Sequence, residues 1–281
     1  MKVLPFTIPK YKRDSIQLQE DKGTLFYELL HQHEEFQISL ILKGSGTLIV
    51  GDTISSFKEN DIIVLGENLP HVFKSDLKKS ENSHMISIFF TKNTFGESFF
   101  NTEELKPLTS FFNKTENGFI ISKNTEKPGR IFKQLYKASK LDRFILFFQL
   151  LKELNKSTHK SLSSFVSLKK YSDNEGRRMS AVFEYTINNF QNEITLERIS
   201  QQAAMTKNAF CKYFKKRTNK TYITFLNELR IEEACKLLQG NNEITIAEIA
   251  EMTGFQNISN FNRTFKQLIE KTPKEYKNQF N

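Results

Sequence analysis

Two stretches in the last third of the chain combine residue types that can read the edge of a base pair with a spacing that gathers them on one side of a helix. Asn208, Cys211, Lys212 and Lys215 fall at i, i+3, i+4 and i+7, and Ser259, Asn262, Arg263 and Lys266 repeat the pattern. Positions so spaced share a helix face. Arg and Lys donate to guanine edges, Asn pairs with adenine, and lysines further out neutralise phosphate. Opposite each stripe stands a phenylalanine pair four apart, Phe210 with Phe214 and Phe261 with Phe265, which suits an anchor in a small core.

The two stretches belong to an internal repeat. TLERIS…AFCKYFK from Thr195 and TIAEIA…NFNRTFK from Thr245 align with Ile199 on Ile249 at an offset of 50, and with Phe210, Phe214 and Lys215 on Phe261, Phe265 and Lys266 at 51, so the turn has gained one residue. A short helix, a turn through AAMT or EMTGFQN and a two-faced second helix is the layout of a helix-turn-helix whose second helix enters a major groove. One stripe alone is equally well explained as the solvated face of a core helix; the coincidence of two favours nucleic acid. From Lys207 to Lys220 there are six basic residues and no acidic one (Lys207, Lys212, Lys215, Lys216, Arg217 and Lys220), so positive potential is expected to concentrate at the first copy. The helix TYITFLNELRIEEACKLLQ joins the copies. About twenty helical residues span roughly 30 Å, close to one turn of B-DNA, so one chain could read two successive major grooves.

The elements that must position these residues follow from patterning. Four helix starts are marked: Thr245 with Glu248 and Thr272 with Glu275 form capping boxes, the second around Pro273, while Thr195 and Thr206 act as simple N-caps. Seven helices fit the segment from Arg178 onward. Residues 24 to 90 read instead as strands: in FQISLILKG, Phe36, Ile38, Leu40 and Leu42 alternate with Gln37, Ser39, Ile41 and Lys43, the period of a half-buried strand. GTLIVGD, TISSF, DIIVLG, HVFKSD and HMISIFF follow, separated by Gly, Asn, Asp and Pro at the intervals of an all-β sandwich or barrel. RIFKQLYKASK and LDRFILFFQLLKELN read as a packed helical pair. The polar, Ser/Lys-rich stretch between Asn155 and Arg178 reads as a linker.

Composition narrows the function classes. The 281 residues, 38% of them hydrophobic, suffice for two domains. Lys and Arg number 41 against 32 Asp and Glu, and 16 basic against 11 acidic residues lie from Arg177 to Asn281, a balance that suits a polyanionic partner. Two cysteines, Cys211 and Cys235, build neither a disulfide framework nor a zinc ribbon, and a reducing compartment is expected. MKVLPFTIPKYKR has no leader-like apolar core, and FILFFQLL is too short to span a bilayer, so a cytoplasmic protein without membrane contact is expected. The sequence has no GxGxxG, P-loop, GxSxG or HExxH motif, and no catalytic residue is assigned.

FKKRTNKT, the LRIEEACKLL run, IAEIAEMTGFQNISNFNRTFK and TPKEY, in that order from about Met179 to Tyr276, resemble the AraC/XylS family of transcription regulators. The resemblance implies base contacts from Asn208, Cys211 and Lys212 and from Ser259, Asn262 and Arg263, with Lys207, Lys215 and Lys266 beside them. Three positions depart from the family pattern: Asn219 and Glu270 stand where glycine usually follows each recognition helix, and Lys277 replaces a terminal arginine. Asn tolerates a left-handed cap, whereas Glu there is strained, so the second helix is expected to end differently.

HQHEEFQISLILKGSGTLIVGD, the Asn60-Asp61 turn and LGENLPHVFK resemble the cupin-like sensor domain commonly attached to this family. His31 and His33, two apart, share a face if they lie on one strand, and the resemblance adds His71 and places Gln37 at the usual carboxylate position. An amide is a poor ligand for a first-row cation, so these four residues are expected to line an effector pocket or to be hydrogen-bonded in the barrel, with neither metal nor other cofactor.

The combined expectation is a two-domain α+β chain. Residues 1–125 form a cupin-like β-barrel, 126–160 a helical pair resembling the family's dimerisation region, 161–177 a linker, and 178–281 an all-α domain with two helix-turn-helix motifs. The resemblance implies a regulator, not an enzyme, with double-stranded DNA, a small-molecule effector, RNA polymerase and a second copy of the chain as partners, and it implies activation of transcription. A metal-dependent cupin enzyme with a helical appendage, or a protein-interaction scaffold, remain as alternatives.

Overall fold

The computed structural model describes residues 14–76, 81–164, 172–240 and 244–280. It divides the chain into two compact units, Met1–Asp173 and Asn174–Asn281. The first is α+β and the second, among its described residues, all-α.

The first unit holds β1 (Gln17–Gly23), β2 (Phe36–Lys43), β3 (Gly46–Val50), β4 (Thr53–Phe57), β5 (Ile62–Leu65), β6 (His71–Ser75), β7 (Ser83–Phe90), β8 (Phe119–Ile121) and β9 (Lys160–Ser161). Its helices are α1 (Thr109–Thr115), α2 (Glu126–Lys137) and α3 (Lys140–Lys156). A six-stranded sheet runs β1-β7-β2-β5-β8-β9 and a three-stranded sheet β4-β3-β6, and neither closes on itself. The two faces of the larger sheet belong to different cores. Ile38, Leu40, Ile62, Val64, Ile86 and Ile88 pack with Phe111 of α1, Phe132 of α2 and Phe147 and Leu151 of α3. Ile41, Ile63, Leu65 and Met85 face Leu48, Val50, Phe57 and Phe73 of the smaller sheet. Helices, large sheet and small sheet thus form three layers.

This layering changes the status of β2. The alternation of polar and apolar residues predicts a half-buried strand, yet Phe36 to Ile41 are all buried because the second sheet covers the side that carries Gln37 and Ser39. Polar groups placed there must find partners inside the protein. Three strands fall outside the strand region read from sequence: β1 precedes it, and β8, between α1 and α2, and β9, after α3, extend the sheet beyond β5.

The second unit holds α4 (Asp173–Asn189), α5 (Leu196–Gln202), α6 (Lys207–Thr218), α7 (Tyr222–Gly240), α8 (Ile246–Met252), α9 (Ile258–Ile269) and α10 (Pro273–Lys277). β9 and the start of α4 both lie inside the stretch expected to be linker, and residues 165–171 within it lie outside the described residues. The four N-caps sit where the sequence puts them: Thr195 and Thr206 accept from Arg198 and Ala209, and Thr245–Glu248 and Thr272–Glu275 form reciprocal capping boxes. Two aromatic clusters fill the unit. Phe183, Phe210, Phe214, Tyr222 and Phe225 surround the first helix pair, and Phe255, Phe261, Phe265 and Tyr276 the second. Burial in the first cluster pushes the Tyr222 hydroxyl up to about 12, and it hydrogen-bonds Thr186 at 2.9 Å.

The end of α9 corrects the expectation drawn from Glu270. Asn219 caps α6 at φ 53°, ψ 13°, and Glu270 caps α9 in the same left-handed conformation at φ 63°, ψ 10°, its N–H donating to the Lys266 carbonyl. The backbone ends both helices alike and the glutamate carries the strain, about 1–2 kcal/mol for a residue with a Cβ. Replacement Glu270→Gly is therefore expected to stabilise the second unit by roughly 0.5–1 kcal/mol after the added unfolded-state entropy is subtracted. Urea denaturation followed by far-UV circular dichroism checks this, and a neutral or destabilising result would show the strain to be relieved elsewhere.

Candidate nucleic-acid interface

The two helix pairs, α5 with α6 and α8 with α9, are built alike down to their turns. After α5 the Ala204 N–H donates to the Gln201 carbonyl and the Met205 N–H to Ser200. After α8 the Gly254 N–H donates to Glu251 and the Phe255 N–H to Ala250, the same bonds at an offset of 50. Ala204 (φ 51°) and Gly254 (φ 86°) both take the left-handed conformation that reverses the chain. The extra residue of the second turn falls after Gly254, so Asn257 stands at the place of Thr206 and caps α9 by accepting from the Asn260 N–H at 2.9 Å.

Within each pair the second helix is oriented by its phenylalanines. Phe210, Phe214, Phe261 and Phe265 are fully buried, which turns the opposite face outward. Lys207, Asn208, Cys211, Lys212 and Lys215 are all exposed on α6, and Ser259, Asn262, Arg263 and Lys266 on α9. Arg263 is steadied by donating to the Asn260 side chain at 2.9 Å. The structure thus brings each set of residues expected to face DNA onto one exposed surface.

Charge at the first pair is smaller than the run of six basic residues implies. Arg217 is 4% exposed and donates to the Glu175 carboxylate, whose backbone carbonyl accepts from the Tyr213 hydroxyl. Lys220 bridges Glu228 at 2.8 Å. Lys207 pairs with Glu197 on the preceding helix at 2.6 Å, and that hydrogen bond holds Glu197 below the usual carboxylate range while raising the Lys207 ammonium. Lys212, Lys215 and Lys216 are exposed on α6 together with Lys207. The partners of Lys207, Arg217 and Lys220 lie elsewhere in the chain, where a local charge count does not find them.

Arg230, in the middle of α7, is a residue that the stripe analysis missed. Its Nε donates to the Phe190 carbonyl at 2.8 Å and a terminal nitrogen to the Asn192 carbonyl at 2.9 Å, while the guanidinium lies 5.7 Å from the Phe255 ring centre. It ties the loop between α4 and α5 to the turn of the second pair, and burial pulls its pKa down from the ordinary value. α7 itself has 19 residues, about 28 Å at 1.5 Å per residue.

The histidines form a second cluster, in the first unit. His31 is joined to His71 by an isolated bridge and His33 lies outside regular strand, so the shared-strand arrangement expected for His31 and His33 is not the one adopted. The three rings nonetheless meet, with centres 4.4 Å apart for His31–His71, 5.1 Å for His33–His71 and 6.3 Å for His31–His33. Each Nδ1 lies 2.8 or 2.9 Å from a backbone carbonyl, of Leu29, Glu35 and Leu69 in turn, which places a proton on Nδ1 and leaves Nε2 as the acceptor. His33 Nε2 meets the Gln37 amide at 3.0 Å, the amide meets Ser39 at 2.8 Å, and Ser39 meets Ser87 at 2.8 Å. With the amide flipped from its placement, so that its NH2 rather than its oxygen faces His33, Gln37 donates to His33 Nε2 and its oxygen accepts from the Ser39 hydroxyl. Among the described residues no set of three or more His, Cys, Asp or Glu could hold a metal ion, and no helix is long and apolar enough to cross a membrane.

A unit with paired helices that expose Asn, Arg and Lys on matched faces defines a DNA-binding protein of the transcription-regulator class. Comparison with known proteins agrees. Residues 199–279 match the model of a helix-turn-helix domain family. The HTH-type transcriptional regulator YdeC of Bacillus subtilis is 23% identical over 265 residues, 89% of this chain and 86% of that protein. The HTH-type transcriptional activator RhaR of Mannheimia succiniciproducens is 25% identical over 263 residues, 89% and 87%. A solved probable AraC family transcriptional regulator from Rhodopseudomonas palustris aligns with 37% of this chain and 97% of its own, at 23% identity and a TM-score of 0.35. Residues 199–279 thus carry a helix-turn-helix domain, and the chain is a DNA-binding transcription regulator.

The second turn gives a sharp structural prediction. A Cβ on Gly254 would stand 2.5 Å from the Phe190 carbonyl oxygen and 3.0 Å from the Arg230 guanidinium, at a φ that also disfavours it. Gly254→Ala is expected to cost about 2–4 kcal/mol of stability. Thermal unfolding measures it, and a loss under about 0.5 kcal/mol would mean that the Arg230 contact yields freely.

Proposed function

We propose that both helix pairs act as helix-turn-helix units, with α6 and α9 entering successive major grooves of one double-stranded site. The observation that carries this is the repetition of one turn geometry with two outward faces of matching chemistry, joined by a helix about as long as one turn of B-DNA. Asn208, Cys211 and Lys212 of the first helix pair and Ser259, Asn262 and Arg263 of the second make the base contacts in this reading, while Lys207, Lys215 and Lys266 contact phosphate.

The first unit is the sensor, a cupin-like fold in which a small polar molecule is held by His31, His33, Gln37 and His71. The support for this is that the three imidazole rings meet and that His33 reaches the buried Gln37 amide of β2 at 3.0 Å, which gathers these side chains into one polar cluster. Pairing of two chains through α2 and α3 is supported by Leu141, 71% exposed, and Ile145, 48% exposed, on the outer side of α3. Two paired chains present four recognition helices, and an effector that favours one arrangement of the pair shifts DNA occupancy and access of RNA polymerase, to activating effect. The working compartment is the cytoplasm.

Selection of genomic fragments by the purified chain across a salt series tests the DNA reading. One sequence class is expected to be enriched. Asn262→Ala or Arg263→Ala is expected to cost that class about 10- to 100-fold in affinity and to relax selectivity at single positions. Lys212→Ala with Lys215→Ala is expected to weaken binding to all sequences and flatten the salt slope by about two. Equal weak binding to every fragment would overturn the proposal. A thiol reagent supplies a second readout: Cys211 is exposed and Cys235 buried, so one thiol is expected to react in the free protein and to be protected by the enriched fragment. Undiminished labelling in the complex would take α6 out of the groove.

A further inference from the structure

The turn between β3 and β4 carries a carboxylate that holds the far end of the first unit. Asp52 is 1% exposed. Its Oδ1 accepts from the Ser163 hydroxyl at 2.7 Å and from the Ser164 backbone N–H at 2.9 Å, and its Oδ2 accepts from the Ser164 hydroxyl at 2.5 Å. The Thr53 hydroxyl donates to Oδ1 as well, at 3.2 Å. Hydrogen bonds to a carboxylate are among the stronger ones, and three of these four reach across more than a hundred positions of sequence. Just before the gripped serines, Leu162 is buried in the core between the sheets and donates its N–H to the Gly118 carbonyl at 3.0 Å. From Ser164 the sequence runs on toward the DNA-binding unit that begins at Asn174.

The other side of the same turn touches the histidine cluster. The Gly51 N–H donates to the Pro70 carbonyl at 2.8 Å, and Val50 is paired in register with His71, whose ring lies 4.4 Å from that of His31. Only Gly51 separates Val50, the strand position facing His71, from the carboxylate that holds Ser163 and Ser164. A displacement of the Pro70–His71 segment is therefore felt at Asp52 through backbone hydrogen bonds of one short hairpin.

We propose that Asp52 is a positioning residue that latches the start of the interdomain connection to the sensor, and that the state of this latch sets how tightly the full chain binds DNA. The inference rests on the reading of the first unit as the controlling one. When the latch opens, the connection gains at least Ser163 and Ser164, about 7 Å of extended chain, a length comparable to two base-pair steps. That is enough to alter which spacing of sites a pair of tethered DNA-binding units can span.

The experiment compares the intact wild-type chain with Asp52→Ala and with the milder Ser164→Ala, which removes one exposed hydroxyl and leaves the carboxylate in place. Tryptic cleavage at Lys169 and Lys170 reports the latch, affinity for the fragment enriched by the wild type reports its consequence, and the melting curve shows whether the sensor stays folded. Asp52→Ala is expected to speed cleavage about tenfold or more and to change affinity at least about threefold, with Ser164→Ala moving both in the same direction by less. If Asp52→Ala fails to fold, the Ser164→Ala result decides alone. Faster cleavage with unchanged affinity would reduce Asp52 to a structural anchor, and no change in either would remove the latch altogether. A wild type that selects no DNA would instead bring down the functional reading and this inference with it, an outcome visible before any variant is made.

Discussion

Burial of one phenylalanine pair on each of α6 and α9 is the constraint on which the DNA-binding unit depends. A helix with two rings four residues apart on one side has a single favourable rotation about its axis, the one that puts both rings into the core. The direction of every other side chain on that helix follows. Asn262 and Arg263 point outward because Phe261 and Phe265 point inward, and Lys212 does so because of Phe210 and Phe214. The interface is therefore specified by residues that never reach it.

Two such helices serve one DNA site only if their mutual geometry is fixed, and this is the part played by α7 and Arg230. Ile231, Ala234, Cys235 and Leu238 of α7 belong to the core of the second pair, while Tyr222 and Phe225 at its other end belong to the first. Arg230 lies between, bound to the carbonyls of Phe190 and Asn192 and stacked near Phe255. Gly254 has no Cβ because that guanidinium and the Phe190 carbonyl occupy the space. One arginine and one glycine thus lock the turn of the second pair onto the loop of the first.

What the sequence makes legible is local. The capping boxes at Thr245 and Thr272 involve residues three apart, and the stripes and phenylalanine pairs span two turns of helix, so both can be read directly. Features set by distant partners cannot. Arg217 looks like a cation for phosphate until Glu175, 42 positions upstream in a stretch that reads as linker, is found beside it. β8 and β9 have three and two residues, too few for a period, and exist because β5 offers a free edge. β2 reads as half-buried because no pattern within it announces the second sheet. The histidines are legible as candidates, but their meeting depends on the His31–His71 bridge, which joins residues forty apart.

The ion pair between Lys207 and Glu197 gives the first recognition helix an internal rival for its target. A phosphate approaching the start of α6 meets an ammonium already engaged by a carboxylate of the neighbouring helix, and must take its place. The gain from that contact is a difference between two anions, so random polyanions profit little from it. On the proposed reading, a backbone held in register by base contacts of α6 stays long enough to complete the exchange. If α6 enters the groove as proposed, Glu197 acts as a toll on non-specific attachment and keeps one cation of the chain in reserve.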